Sequence, residues 1–157
     1  DPSKPFATTT IEEAQYGTLT PAPDQQPDVN LGLYSVTFNN DLAADLHSLE
    51  SFKAFRTEAN PKGFKYFLEV FNPNVADCGI APEQIPHFVN DQIARMLAGI
   101  PRTSRPEFLK IAYNSPETTA SVTWSQIYGG AMPPGDATVP EADALIIHEW
   151  LNCGGPE

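Results

Sequence analysis

The middle of the chain alternates short β-type runs with longer helix-type runs, a pattern that few folds can accommodate. Residues 33–38, 65–71 and 108–113 are rich in β-branched and aromatic side chains, and each run is followed by asparagine. Between them, apolar residues recur at helical spacing through about residue 59 and again over 85–100. Strands that alternate with helices of this length pair in parallel through right-handed crossovers. The sequence therefore predicts an α/β fold with a short parallel sheet in βαβαβ order.

The length of the chain limits what this alternation can build. A complete (β/α)₈ barrel usually needs about 250 residues and rarely fewer than about 200, whereas this chain has 157. We therefore expect a partial, barrel-like layer of three parallel strands with helices packed on it, followed by a small helical tail. Such a sheet has two open edges, which favours cover by an arm formed by residues 1–28 or by a partner.

Composition divides the chain into three segments. Residues 1–28 are rich in proline and threonine and lack apolar periodicity, which predicts an extended arm. Residues 29–116 hold the α/β pattern. Residues 117–157 contain six acids and no lysine or arginine, and are predicted to form an acidic tail with helices at about 120–128 and 140–152. We expect these helices to cover the sheet face that a full barrel would close.

Charge and cysteine content exclude several kinds of partner. The net charge of −11 argues against nucleic acid and anionic membrane surfaces as partners, because both require clustered lysine and arginine. The chain has no run of about 18 apolar residues, so no membrane span is expected. Cys78 and Cys153 lack metal-type spacing, and we expect neither a metal nor a cofactor. A disulfide between them, which would indicate export, and two reduced thiols are both open.

Two of the predicted strands share a pattern that places charged residues side by side. Phe67-Leu68-Glu69 matches Phe108-Leu109-Lys110, and neighbouring strands lie about 4.8 Å apart, so Glu69 and Lys110 can meet. A desolvated lysine can attack a carbonyl to form a Schiff base, with Tyr113 as a candidate for proton transfer. Alternatively, Lys110 extends from an edge strand into solvent and pairs with a surface acid.

Whole phrases of residues 29–116 are similar to a known family of barrel enzymes. The segments VNLGLYSVTFNNDL at 29–42, GFKYFLEVFNPN at 63–74 and PEFLKIAYNSP at 106–116 resemble, in that order, bacterial (β/α)₈-barrel proteins related to class I aldolases. The resemblance implies a carbon–carbon lyase acting on a small-molecule carbonyl substrate. Lys110 stands at the Schiff-base position, with Glu69 as a neighbouring polar residue of the barrel.

The chain departs from that family in what surrounds these segments. It has neither the earlier and later strands of a barrel nor a glycine-rich phosphate loop. The resemblance therefore implies an aldolase-like unit that is incomplete on this chain. Its missing parts would come from a larger protein partner or from the remainder of a longer chain.

The tail resembles a different family. The segments WSQIYGGAMPPG at 124–135 and WLNCG at 150–154 resemble the carboxyl-terminal part of periplasmic c-type cytochrome domains, with Met132 at the position of an axial haem ligand. Because the chain has no Cys-x-x-Cys-His motif, covalent haem is excluded. The resemblance implies a non-catalytic, exported accessory subunit of a larger complex, with electron transfer as one role for that complex. It favours a periplasmic or secreted location over the cytoplasm, and both hypotheses stay open.

Overall fold

The computed structural model describes residue 2 and residues 4–114, so the predicted tail lies outside the described residues, together with Met132 and Cys153. The strands are β1 (Leu31–Thr37), β2 (Lys65–Phe71) and β3 (Leu109–Ile111). The helices are α1 (Ile11–Tyr16), α2 (Leu42–Ala59) and α3 (Ile85–Leu97), with single 3₁₀ turns at Asn60–Lys62, Pro82–Gln84 and Arg102–Ser104. From β1 to β3 the order is βαβαβ, which confirms the predicted α/β alternation.

The three strands form one parallel sheet in the order β1-β2-β3. Leu31 pairs with Lys65 at the start of the first ladder, and Glu69 pairs with Lys110 in the second. Parallel pairing and the predicted register of Glu69 and Lys110 are therefore confirmed. The mixed α/β class is as expected, whereas closure into part of a barrel stays a prediction.

Both crossover helices cover the same face of the sheet. Even-numbered residues of β1 and β2 point toward them and join one core with α2 and α3. The buried members of that core are Val36, Phe38, Phe52, Tyr66, Leu68, Val70, Val89, Ile93, Met96, Leu97 and Ile100. Full burial of one such side chain stabilises the fold by roughly 1.5–3 kcal/mol, so this layer holds the sheet and helices together. The opposite face, called here the open face, carries Leu31, Leu33, Ser35, Thr37, Lys65, Phe67, Glu69, Phe71, Phe108 and Lys110.

The buried side of α2 agrees only in part with the apolar stripe in its sequence, which consists of Leu42, Leu46, Leu49, Phe52 and Phe55. Phe52 is buried and Leu49 and Phe55 pack against the same core. Leu42 and Leu46 are 87% and 52% exposed, whereas Ala44, Ser48 and Phe52 are buried. Small residues in the first turns allow the helix to lie close to its neighbours. The Ser48 hydroxyl donates to the Ala44 carbonyl at 3.0 Å, so its burial leaves no unpaired donor. Large apolar residues at helical spacing are the usual sequence signal of a buried helix face, and that signal does not identify Ala44 and Ser48 as buried.

The first 28 residues include a helix that the expected extended arm lacks. Thr10 and Glu13 form a capping box at the start of α1, and the T-x-x-E pattern that encodes it is present in the sequence. Ile11 is buried against Ala59 and Phe64. The interpretation of residues 1–28 as wholly extended is therefore corrected at α1, because a capping box and one buried isoleucine suffice for a short helix.

Hydrogen bonds also hold α1 against the end of α2 and the start of the sheet. The Gln15 side chain is 2% exposed and donates at 3.1 Å both to the Asn30 side-chain oxygen and to the Lys62 carbonyl. In addition, the backbone amide of Ile11 donates to the Glu58 carboxylate at 2.9 Å. The arm is thus anchored at the amino end of the sheet, beside the end of α2.

The start of α2 gives a test of this local architecture. The Asp41 carboxylate accepts a hydrogen bond from the Ala44 amide at 2.8 Å, as an N-cap does. We expect Asp41→Ala to lower the free energy of unfolding by about 1 kcal/mol, measured by urea denaturation. Asp41→Asn keeps an accepting oxygen and should change it by only a few tenths of a kcal/mol, roughly. Equal losses in both variants would mean that the cap bond is not the cause.

Candidate functional site

A row of three polar residues crosses the open face at one level. Ser35 on β1 is the register partner of Glu69 on β2, which is in turn the partner of Lys110 on β3. Since side chains alternate between faces along each strand, all three point away from the helices. The fold therefore brings a hydroxyl, a carboxylate and an ammonium group into contact from strands that are distant in sequence.

Glu69 is the centre of this row. It is only 6% exposed, and both of its carboxylate oxygens have partners. The Lys110 ammonium contacts Oε1, and the Ser35 hydroxyl donates to Oε2 at 3.0 Å. The hydrogen bond from Lys110 holds the pKa of Glu69 below its usual range, and Ser35 adds to this effect while burial opposes it. Glu69 is accordingly an anion at neutral pH.

Lys110 lies in two environments at once. Its side chain is 62% exposed on β3, an edge strand of the described sheet, yet its ammonium group is paired with a buried carboxylate. The exposure agrees with the alternative in which Lys110 extends into solvent from an edge strand. The acid that it meets, however, is Glu69 and not a surface residue, so the amine is held at one end of the polar row while its side chain remains accessible.

Tyr113 is not part of this group. β3 ends at Ile111, and Tyr113 follows it with 62% of its surface exposed. Because Tyr113 lies beyond the end of the strand, the pairing that aligns Lys110 with Glu69 does not extend to it. The structure brings Glu69 and Lys110 together, and Tyr113 is not among the groups that contact either of them.

Another lysine on the open face forms a comparable but separate pair. Lys65 on β2 contacts Glu107 at 3.0 Å, with its side chain 55% exposed. The two lysines thus share a face, a similar exposure and a carboxylate partner. They differ in that the partner of Lys110 is buried, which makes Lys65 a matched comparison for the chemistry of Lys110.

Asparagine side chains meet where the three strands end. Asn72 and Asn114 exchange two hydrogen bonds between their side-chain amides, at 2.7 Å and 3.1 Å. The Asn39 side-chain oxygen accepts from the Asn74 backbone amide at 2.8 Å. In the sequence, an asparagine directly follows each of the three predicted strands. Their repeated position directly after each strand was the signal that could have found this cluster.

Apolar side chains flank the polar row on the open face. The rings of Phe67 and Phe108 stack with centroids 4.7 Å apart and planes 11° from parallel. On the other side, Phe71 is 46% exposed. An accessible amine between apolar patches suits a small ligand that has both a carbonyl group and a hydrocarbon part.

Comparisons with family models, curated proteins and solved structures found no match to this chain. The aldolase-like resemblance of residues 29–116 and the cytochrome-like resemblance of the tail therefore stay predictions. In the described part of the chain, no three His, Cys, Asp or Glu side chains are grouped so as to hold a metal ion. No helix there has the length and apolar character needed to cross a bilayer. Cys78 is half-buried and forms no disulfide with any residue that the structure describes.

Proposed function

We propose that the open face is an aldolase-type site, in which the Lys110 amine condenses with the carbonyl group of a small molecule. The observation that carries this proposal is the pairing of Lys110 with the buried carboxylate of Glu69, at the same register on adjacent parallel strands. A structural lysine of the sheet surface has no need of a buried partner, since solvent hydrates it. The reaction class is carbon–carbon bond cleavage or formation.

The groups present suit the charge changes of Schiff-base formation. The Lys110 ammonium group first gives a proton to water, and the neutral amine attacks the carbonyl carbon to form a carbon–nitrogen bond. The resulting carbinolamine takes up one proton and loses water, which gives a protonated imine. That cation replaces the ammonium ion, so the Glu69 carboxylate remains paired before and after the condensation. In the cleavage direction, the hydroxyl group on the β carbon gives its proton to water, the bond between the α and β carbons breaks, and its electrons pass to the imine as an enamine forms and an aldehyde leaves. Ser35 fixes the carboxylate through its hydrogen bond at 3.0 Å.

The exposure of the open face indicates that another element completes this site. Schiff-base chemistry is favoured where water is excluded. Four apolar residues of the open face nevertheless remain 42–49% exposed, namely Leu31, Leu33, Phe71 and Phe108. We infer that a larger partner, or further chain, covers this face in the active form, in line with the expectation of an incomplete unit.

Reductive trapping tests the proposal on the chain as it exists. The protein is incubated separately with pyruvate and with glycolaldehyde, reduced with sodium borohydride, and digested for mass spectrometry. We expect the adduct on the peptide that contains Lys110, in clear excess over the peptide that contains Lys65. Labelling should be faster at pH 9 than at pH 7, because only a neutral amine attacks the carbonyl.

Two variants separate specific labelling from general lysine reactivity. Lys110→Arg should abolish the adduct on the peptide that contains residue 110, whereas Lys65→Arg should leave the Lys110 adduct unchanged. Equal labelling of both lysines in the unmodified chain, or labelling of Lys110 no faster than that of a lysine peptide in free solution, would contradict the proposal.

A further inference from the structure

A cavity lies on the open face directly beside the polar row. Its lining residues include Ser35 of the row and, nearer the carboxyl ends of the strands, Thr37, Phe71 and Ala112. Thr37 and Phe71 are register partners. Thr37 stands two positions after Ser35, and Ala112 stands two positions after Lys110. Since two residues of a strand span about 6.6 Å, the cavity begins at the polar row and extends toward the strand ends.

The arm closes one side of this cavity and supplies a cation there. Lys4, Pro5 and Phe6 line the cavity together with the strands. Its volume is about 790 Å³, within the range of about 300–1,000 Å³ that is usual for small-molecule sites. Lys4 is the only charged residue among the described residues of the lining. A small molecule that fills this space therefore lies between Lys4 and the polar row.

The charge of Lys4 is available to an anion. Within the described part of the chain, Lys62, Lys65 and Lys110 each form an ion pair with a glutamate, whereas Lys4 forms none. The net charge of −11 repels anions at long range. Salt, however, screens exposed charges that are more than about 8 Å apart at physiological ionic strength. The charge in direct contact with a ligand therefore decides, and in this cavity it is positive.

We propose that Lys4 binds the carboxylate group of the substrate, so that the substrate class of this site is an oxo acid. The inference rests on the proposed function, because it places the carbonyl group of the same molecule at Lys110. A carboxylate fits better than a phosphate, since one exposed lysine supplies a single positive charge and no second cation lines the described part of the cavity. Lys4 thus determines specificity and takes no part in the bond-forming steps.

Reductive trapping with matched pairs of ligands measures this specificity on the full chain. Pyruvate and 4-oxopentanoate, which differ in the spacing between carbonyl and carboxylate, are each compared with their own amide, which lacks the charge. Sodium cyanoborohydride reduces the imine, and the initial rate of labelling at Lys110 is followed against ligand concentration. For at least one acid, Lys4→Gln should raise the concentration for half-maximal labelling about threefold to fivefold. Neither amide should respond to this change.

Two further variants separate a local contact from general attraction. Lys4→Arg keeps the positive charge and should retain the half-maximal concentration of the unmodified chain. Lys53→Gln removes an equal charge from an exposed position of α2, where the lysine also forms no ion pair with the residues described. It should leave the half-maximal concentrations of acids and amides unchanged. Lys4 is exposed and precedes α1, so its substitution leaves the core intact.

Ligands that cannot condense separate this inference from the proposed chemistry. Lactate and 4-hydroxypentanoate keep the carboxylate of the two acids but have no ketone group that could form an imine. In the unmodified chain, at least one of them should shift the NMR signals of the Thr37 and Asn72 backbone amides. These shifts should be lost in Lys4→Gln and retained in Lys53→Gln.

The role of Lys4 is overturned if Lys4→Gln leaves the labelling by both acids unchanged, or if Lys53→Gln weakens it equally. In those cases the chemistry proposed for Lys110 still stands, because the adduct forms. Shifts that depend on Lys4, without any adduct at Lys110, would instead retain the carboxylate site and overturn the proposed function. Absence of both the shifts and the adduct would overturn the two proposals together.

Discussion

Replacing Phe52 by alanine should lower the free energy of unfolding by about 3–5 kcal/mol, which is a large part of the 5–15 kcal/mol typical of a domain. Phe52 is 2% exposed at the middle of the interface between α2 and the sheet. Its ring lies 5.3 Å from that of Tyr34 and 5.9 Å, edge to face, from that of Tyr66. The Arg56 guanidinium lies 5.1 Å from its centroid. Truncation removes these contacts and leaves a cavity that its neighbours cannot readily fill.

The same helix offers the control. Leu46→Ala also truncates an apolar side chain of α2, but a smaller one at a position that is 52% exposed, and it should cost much less than Phe52→Ala. Both variants are compared by guanidinium denaturation with circular dichroism at 222 nm. Similar losses in the two variants would mean that Leu46 contributes to the packing of α2 as much as Phe52 does, which would contradict the buried face described above.

Lys110→Gln should lower the free energy of unfolding at pH 7 by about 1–3 kcal/mol, because it leaves the buried Glu69 carboxylate without its cation. Water reaches the lysine, whose side chain is 62% exposed, and this keeps the cost below that of a fully buried pair. The pKa of Glu69 should rise in the variant, since the hydrogen bond from Lys110 is the largest cause of its lowering. Carbon-13 NMR of the Glu69 carboxyl group measures that change directly.

The contribution of the Glu69–Lys110 ion pair to the free energy of unfolding should decrease as the pH falls. The folded-state pKa of Glu69 lies below its ordinary value of 4.5, so its ion pair stabilises the fold above that pH. The contribution is lost as the pH falls through the folded-state pKa. The difference between Lys110→Gln and the unmodified chain should therefore be largest near neutrality and vanish in acid. Lys65→Gln, which breaks an exposed pair, should cost no more than about 1 kcal/mol at any pH. A constant difference from pH 7 to pH 2 would contradict the role of Glu69.

The strands of this fold were predictable because their signals are local and strong. Residues 65–71 form β2 as predicted, and β1 differs from its predicted bounds by two residues at one end and one at the other. Gly63 ends the turn after α2 with φ 64°, a left-handed conformation that glycine adopts at low cost. The buried face of α2 was not predictable by the same means. Ala44 and Ser48 become interior residues only through packing, and that depends on what lies opposite them.

The candidate site was predictable where it depends on register alone. Two matching tripeptides on adjacent parallel strands placed Glu69 beside Lys110, and the structure has them in contact. The partnership of Ser35 with Glu69 was missed, since no tripeptide on β1 matches the other two. Tyr113 was assigned to the site, but β3 ends at Ile111, before it. The asparagine contacts across the strand ends depend on loop paths, which no local pattern determines.

The residues that pair in the sheet are far apart in the sequence, and this affects how the chain folds. Leu31 pairs with Lys65 and Leu68 with Leu109, so partners are separated by 34 and 41 positions, and no hairpin contributes to the sheet as far as residue 114. Every ladder bond must therefore close a loop that contains a whole helix, which is entropically costly before the core forms. We expect α2 and α3 to gain helicity early and the sheet to assemble late. Refolding should accordingly be slower than that of helical bundles of equal length, whose contacts are mostly local.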